Sequence, residues 1–540
     1  MTGSKSNWRL TTLGEIAAKL VDGSHNPPPR MPTGLPMLSA RNIEDNRIVW
    51  RDFRLIAAEA FHQEHQRTRI TPGDVLLTIV GSIGRSAVVP PTSPQFALQR
   101  SVAVIAIPEV DPQFISFQVQ TPSFQAHLSA MAKGTAQKGV YLGDLSASPV
   151  ELAPLPEQHR IVEAIESYLT RLDDAVATLE RVQQNLKRYR ASVLKAAVEG
   201  RLVPSEAERA RQEGRDYEPA SVLLERILEE RRRRWIEDAA EKARAKAEEK
   251  TRKAGKPWTP KDDTKTLEQE RLKAAKKYKE PEPPDTSDLP DLPEGWCWAT
   301  VAQLASGEPH SLTDGPFGSN LKTEHYTAQG PRVVRLQNIG DGVFFDERAH
   351  ISREHYKHLL KHAVQAGDIL IRSLGEEIPT ACLVPNWLGP AIVKADCLRF
   401  APNPSVALAG YLMNALNSPP TRTRTESLIH GVGRPRVGLS LLRNLALPLP
   451  PLAEQRRVLE DIERRLSVAA QVLATHDAQT GRLGRLRQSI LKWAFEGRLV
   501  PQDPNDEPAS VLLERIQAER ERMGAKKKRN SRVGRPKGTP

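Results

Sequence analysis

The chain has 540 residues, 39% of them hydrophobic and 27% charged, with a formal net charge of +12. Such a length holds roughly two to four domains. No stretch is apolar and long enough to span a bilayer, and the opening MTGSKSNWRL has no apolar run suited to a signal sequence, so no membrane partner is expected. Three cysteines, Cys297, Cys382 and Cys397, form no CxxC pair, which argues for a reducing cytoplasm and against a zinc site or a disulfide framework. The charge is uneven: residues 520–540 carry nine Lys or Arg against Glu521, a net +8, so everything before them nets +4. A basic tail supports sequence-blind phosphate binding, and bulk charge does not make the body of the chain a DNA binder.

Residues 8–150 read as mixed α/β. Short apolar segments such as DVLLTIV and SVAVIAI suit strands, separated by the polar loops DGSHNPPPR (22–30), VGSIGRS (80–86) and GTAQKGV (134–140). Arg, Lys, Asn, Gln and His on such loops are the types that hydrogen-bond base edges. The candidates here are His25, Asn26, Arg41, Arg85, Gln99, Arg100 and Lys138. Each taken singly also fits an ordinary solvated surface residue.

A proline-free stretch, Glu157–Glu199, follows. Ile165, Leu172, Leu179, Leu186 and Val193 fall seven apart, with Leu169 and Val176 at the other seam position before it turns polar at Gln183 and Arg190. This heptad predicts a coiled coil, and a helix packed on a globular core is the alternative. EGRLVP then stops the helix: Gly200 suits the left-handed position and Pro204 prevents resumption. EPASVLLERI (218–227) starts another helix, which RRRRWIEDAAEKARAKAEEK prolongs as a solvated face. EPEPPDTSDLPDLPEG reads as an extended linker.

The chain then repeats itself. PLPEQHRIVEAIE (154–166) returns as PLAEQRRVLEDIE (451–463), and SVLKAAVEGRLVP (192–204) as SILKWAFEGRLVP (489–501), both 297 residues later. EPASVLLERI recurs unchanged at 507–516. Upstream the likeness is faint but in order: SARNIEDNRIVW with RLQNIGDGVFF, TPGDVLLTIVG with QAGDILIRSLG, and Trp8 with Trp298. Strands are expected at DILIRSL and AIVKADCLRF. The loop candidates in this copy are Asn320, Lys322, Arg335, Gln337, Arg434 and Arg436. The second seam reads Ile462, Leu466, Leu473, Leu483 and Ile490, with Ala469, His476, Thr480 and Arg487 at intervening seam positions. If a pseudo-twofold axis relates the copies, the long helices run antiparallel, and each would span about 65 Å. The front parts could then address DNA grooves one or two turns of about 34–36 Å apart. Two constant back parts most simply bind the same partner twice.

Catalytic readings find little support. NPPP at Asn26–Pro29 resembles the loop of amino-methyltransferases, but Pro29 stands where an aromatic should stack on a flipped base. No GxxxxGK[ST] or HExxH is present, and FHQEHQ (61–66) reads as a helix face. No catalytic residue, metal ligand or cofactor site is assigned. A coiled-coil scaffold with protein-binding front parts, and a self-contained enzyme, are the competing classes.

The motifs PLPEQHRIV and PLAEQRRVL, LKAAVEGRLVP and LKWAFEGRLVP, LPEGWCW, and GDVLL with GDILI resemble the DNA-specificity subunit of type I restriction–modification systems over residues 8–520. The resemblance implies an α+β chain. Two mixed α/β target-recognition domains would each read half of a bipartite double-stranded DNA site, separated by two long helices in an antiparallel coiled coil. Two methyltransferase subunits binding S-adenosylmethionine would dock on the helices, and restriction–translocase subunits using ATP and Mg would join them. This chain would bind no cofactor itself and would work in the prokaryotic cytoplasm at the nucleoid. The expected boundaries are 1–152 and 293–447 for the recognition domains, and 153–230 and 448–523 for the helical regions. Residues 231–292 are expected as a charged helix and Pro-rich linker, and 524–540 as a basic disordered tail. Within that tail, Arg535, Pro536 and Lys537 read as a disordered extension or a minor-groove hook.

Overall fold

A computed structural model describes residues 5–44, 46–134, 137–429 and 435–533. The side chains of 474, 476–478, 480 and 523–533 lie outside that description. Arg434 and the Arg535–Lys537 motif therefore fall outside the described residues, as do the His476 and Thr480 side chains. Contacts divide the chain into two units: Met1–Arg181 with Thr475–Pro540, and Val182–Ala474. Each long helix, Leu155–Val198 and Leu452–Phe495, gives one part to each unit.

The first unit is built on a four-stranded antiparallel sheet whose strands lie in the order Lys19–Asp22, Val102–Ala106, Val75–Thr78, Ser86–Val88. In Val75–Thr78, Val75 and Leu77 face the helical core while Leu76 faces a second sheet. Burial on both faces is why this strand reads as an unbroken apolar run rather than an alternating one. The second sheet pairs Leu35–Leu38 antiparallel with Arg54–Ile56 and parallel with Ala97–Leu98.

The second unit repeats this topology from a different sequence. Its four strands lie in the order Leu312–Asp314, Cys397–Phe400, Ile369–Arg372, Thr380–Leu383. Tyr326–Val334 pairs antiparallel with His350–Ile351 and parallel with Ala391–Val393. AIVKADCLRF, read as one strand, is two strands in two sheets, crossing between them at Lys394–Asp396. Asp396 takes a left-handed φ of 70° at that crossing.

In both units the long helices pack antiparallel. In the first, Ile165, Leu169 and Leu172 share a core with Ile490, Leu491 and Ala494, and Arg487 lies 3.7 Å from Asp173. In the second, Val193, Leu194 and Ala197 pack with Val458 and Ile462. The seam is tight only near the sheets: Ile165, Leu172, Val193, Ile462 and Ile490 are buried, whereas Leu179, Leu186, Leu466, Leu473 and Leu483 are half-buried. Arg190 leaves the seam altogether and pairs with Asp341 at 3.1 Å.

Two boundaries differ from the sequence reading. Residues 231–292 hold a second helix, Pro260–Lys277, which folds back on Ala220–Lys253. Its start is fixed by a Thr259–Asp262 capping box. The final helix, Ala509–Val533, runs in backbone into the stretch read as a disordered tail from 524. Among the described residues no helix is long and apolar enough to cross a membrane, and no group of His, Cys, Asp and Glu could hold a metal. The cysteines are free, and burial pushes the Cys382 and Cys397 thiols up to about 12.

Candidate nucleic-acid interface

Loops converge at one end of the four-stranded sheet in each unit, and the same backbone devices fix them. In the first unit a short 3-10 turn, Ala40–Asn42, is held by buried Asn42. Its Oδ1 accepts from Ser39 N at 3.0 Å, and its Nδ2 donates to Val49 O and Arg51 O at 3.0 and 2.8 Å. In the second, Asn338 Oδ1 accepts from Arg335 N at 2.8 Å and Nδ2 donates to Phe345 O and Glu347 O at 2.8 and 2.7 Å. Arg41 and Gln337 thus occupy the same exposed turn position, as do Ser39 and Arg335. At the sheet crossing, Gln99 N donates to Leu38 O and Lys394 N to Val334 O, which makes Gln99 and Lys394 equivalent.

The Asp-Gly pairs at 22–23 and 314–315 have a steric cause. A Cβ on Gly23 would lie 2.3 Å from Leu98 O, and one on Gly315 would lie 2.0 Å from the Lys394 carbonyl carbon. Helix Ala58–Thr68, which contains FHQEHQ, anchors the 22–30 loop: Ser24 Oγ donates to Glu64 at 2.6 Å, and Arg67 donates to the carbonyls of Asp22 and Gly23. Arg54 donates to Pro28 O at 2.6 Å, so the NPPP segment is a pinned loop.

In the first unit a cavity of about 720 Å³ brings His25, Arg41, Gln99 and Arg100 together. It also takes in Arg30, Arg54 and Gln137, which sequence reasoning missed, and its lining has one carboxylate, Asp52. His25 Nε2 sits 2.7 Å from Asp22. Arg41 makes no hydrogen bond or ion pair among the described residues, so its guanidinium is available. Asn26, Arg85 and Lys138 are exposed but do not line the cavity.

The second unit has a cavity of about 700 Å³ containing Arg335, Tyr326, Gln329, Arg348 and His350. Of these only Arg335 was predicted. Burial, then the neighbouring Arg332 and Arg348, lowers the His350 pKa, leaving a neutral ring that can donate and accept. Gln337 lies beside Arg335, its amide oxygen accepting at 3.1 Å in the favoured orientation. Asn320, Lys322 and Arg436 lie outside this cavity. Arg436 pairs with Asp396 at 2.8 Å over the Phe317 ring, and the Asn320 carbonyl faces His355 at 2.9 Å. The missed residues leave one signal in the sequence: once SARN and RLQN are aligned, Asp52 meets Arg348 and Arg54 meets His350.

Residues 5–188 match the family described as "Type I restriction modification DNA specificity domain". The EcoBI specificity subunit of Escherichia coli is 25% identical over 417 residues, covering 75% of this chain and 72% of that one. The EcoKI specificity subunit of Escherichia coli K12 is 20% identical over 511 residues, covering 91% and 90%. In fold, a solved chain of a type I restriction–modification system superposes with a TM-score of 0.54 at 18% identity, covering 91% of this chain and 98% of that one. Over most of its length the chain is thus similar to type I restriction–modification specificity subunits, and its residues 5–188 match the DNA specificity domain of such systems.

Proposed function

We propose that the two cavities read the two halves of a bipartite DNA site, and that the long helices set the gap between the halves. The observation carrying this reading is one loop framework built twice with different side chains at matched positions: Arg41 against Gln337, Ser39 against Arg335, Gln99 against Lys394, Asp52 against Arg348. A scaffold has no need to vary those positions while keeping the turns beneath them, whereas two different DNA words require it. The helices would also dock two methyltransferase subunits carrying S-adenosylmethionine, and restriction subunits using ATP and Mg would join the assembly. This chain binds no cofactor in that scheme, and it would act in the prokaryotic cytoplasm at the nucleoid.

With a methyltransferase partner, a duplex holding both half-sites should bind well over tenfold tighter than one holding either alone. Equal affinity for the three duplexes would refute the reading. Matched heptad insertions in both helices should lengthen the preferred gap, whereas one unmatched heptad should abolish assembly. An unchanged gap with matched insertions would remove the helices as spacers.

A further inference from the structure

The first copy of EPASVLLERI leads into a helical hairpin, Ala220–Lys253 and Pro260–Lys277. Residues 231–277 hold seventeen Lys or Arg and nine Asp or Glu, a net +8. Since residues 520–540 supply another +8 of the chain's +12, the remainder nets −4. The hairpin is therefore one of two places where positive charge is concentrated.

Most of its acids are already engaged within the hairpin. Glu237 pairs with Arg271 at 2.5 Å, and Arg244 gathers Glu241, Glu248 and Asp263 at 2.9, 3.2 and 2.7 Å. Glu249 pairs with Lys253, Glu270 with Lys273, and Asp262 caps Thr259. Among the cations left over are Lys242, Lys246 and Lys250 on the first helix and Lys261, Lys265 and Lys276 on the second. All six are exposed, and none makes an ion pair among the described residues. The first three are spaced four apart and form a stripe, and the second three share a helix face. Asp238 and Glu268 are the hairpin's acids with no ion pair or cap among the described residues, so its unpaired charge is predominantly positive.

We propose that this hairpin is a second, sequence-blind binding site for duplex DNA phosphates. Its root lies at the end of the second unit's sheet away from the reading loops. There, Arg231 and Trp235 share a cavity of about 500 Å³ with Gly307 and Asn403, which flank the start of Leu312–Asp314 and the end of Cys397–Phe400. The reading loops lie past Asp314 and before Cys397. The choice of DNA over an acidic protein rests on the proposed function, which brings that polyanion to the chain. Phosphate contacts away from the reading loops add affinity without adding sequence preference.

The test is titration of a random-sequence duplex with the full chain across a salt series. It compares the native chain with a K242Q/K246Q/K250Q/K261Q/K265Q variant; Gln matches Lys in helix propensity. Each phosphate contact contributes about 0.9 to the log–log salt slope, so the variant should flatten it by up to about 4.5 and bind random duplex at least about tenfold more weakly at low salt. A companion variant with Arg at the same five positions should keep the native slope, which separates charge from folding. An unchanged slope in the Gln variant overturns the proposal and leaves the surface to solvent or an acidic protein. Loss in both variants overturns it equally. A target duplex run alongside keeps the two readings apart: a target-to-random ratio of one would sink half-site reading while the slope still decides the hairpin.

Discussion

The two units close the same latch with different success. In the second, buried Glu454 accepts from Trp296 Nε1 at 3.0 Å and from Glu206 N at 2.8 Å, and Arg457 pairs with Glu206 at 2.5 Å. In the first, Glu157 and Arg160 hold the matching helix positions, and Arg160 pairs with Asp506 at 2.6 Å. There, however, Glu157 Oε1, Trp8 Nε1 and Gln502 Nε2 are buried without a hydrogen bond among the described residues. Further contacts match closely. Ala220 N donates to Gly295 O and Ala509 N to Asn7 O, at 2.8 and 2.9 Å. Arg231 donates to Ala302 O, and Arg520 to Gly14 O.

In every one of these latches one side comes from each copy: PxEQ from the copy whose sheet lies in the unit, the EGRLVP–EPAS stretch from the other. Gly200 and Gly497, at φ of 66° and 70°, turn the chain off each helix and onto the latch. The constancy of EGRLVP therefore has an intrachain cause, since each copy must fit the other's helix start. Any partner that docks there meets a surface already used internally.

Removing the carboxylate should separate the latches most. Glu454→Ala leaves the Trp296 and Glu206 N–H groups buried and unpaired, and should cost about 2–4 kcal/mol. Glu157→Ala, which removes only the looser approach of Trp8 and Gln502 to the carboxyl, should cost about 1 kcal/mol or less. Thermal unfolding of the two full-length variants measures the gap. Equal destabilisation would mean that the first latch is as complete as the second.

A smaller contrast lies in the matched turns. Arg pairs bidentately with guanine and Gln with adenine, each discriminating by about 1–3 kcal/mol. Under the proposed function, Arg41→Gln should shift one base of one half-site from guanine toward adenine, and Gln337→Arg should do the reverse in the other half. Methylation motifs mapped for each variant report this. A change in both half-sites, or in neither, would remove these turns as base readers.

Much of this architecture was legible in the chain. EGRLVP, PLPEQ and the heptads mark helix ends and seams because glycine, proline and apolar spacing act locally. The candidate site was less so. Gln99 and Arg100 could be picked by type, but Arg54 and Arg348 reach the cavities only through a strand pairing that no local pattern announces. The charges near them mislead in the same way: Arg436 looks free in sequence, yet Asp396 holds it. Heptad spacing puts Arg190 on the seam, whereas the side chain finds Asp341, which lies 151 residues away.

The finest test of the latch comparison is pH. Burial raises the Glu157 carboxyl above its ordinary range, and it raises Glu454 likewise despite its two donors. A raised carboxyl holds its proton more tightly in the folded chain, so its contribution to stability grows as pH falls through the raised value and is lost as pH climbs past it. Glu206 works in the opposite sense. Against the push of burial, Arg457 and Arg215 hold its carboxyl low, so the stability it lends is present at neutral pH and lost as pH falls through the lowered value. A Glu157→Gln variant isolates the first effect, because it never charges. It should melt slightly above the native chain at neutral pH, by less than about 3 °C, and the advantage should vanish on acidification as Glu157 protonates. An advantage that stays constant with pH would show that the Glu157 charge carries no penalty, and that the first latch is loose for a reason other than burial.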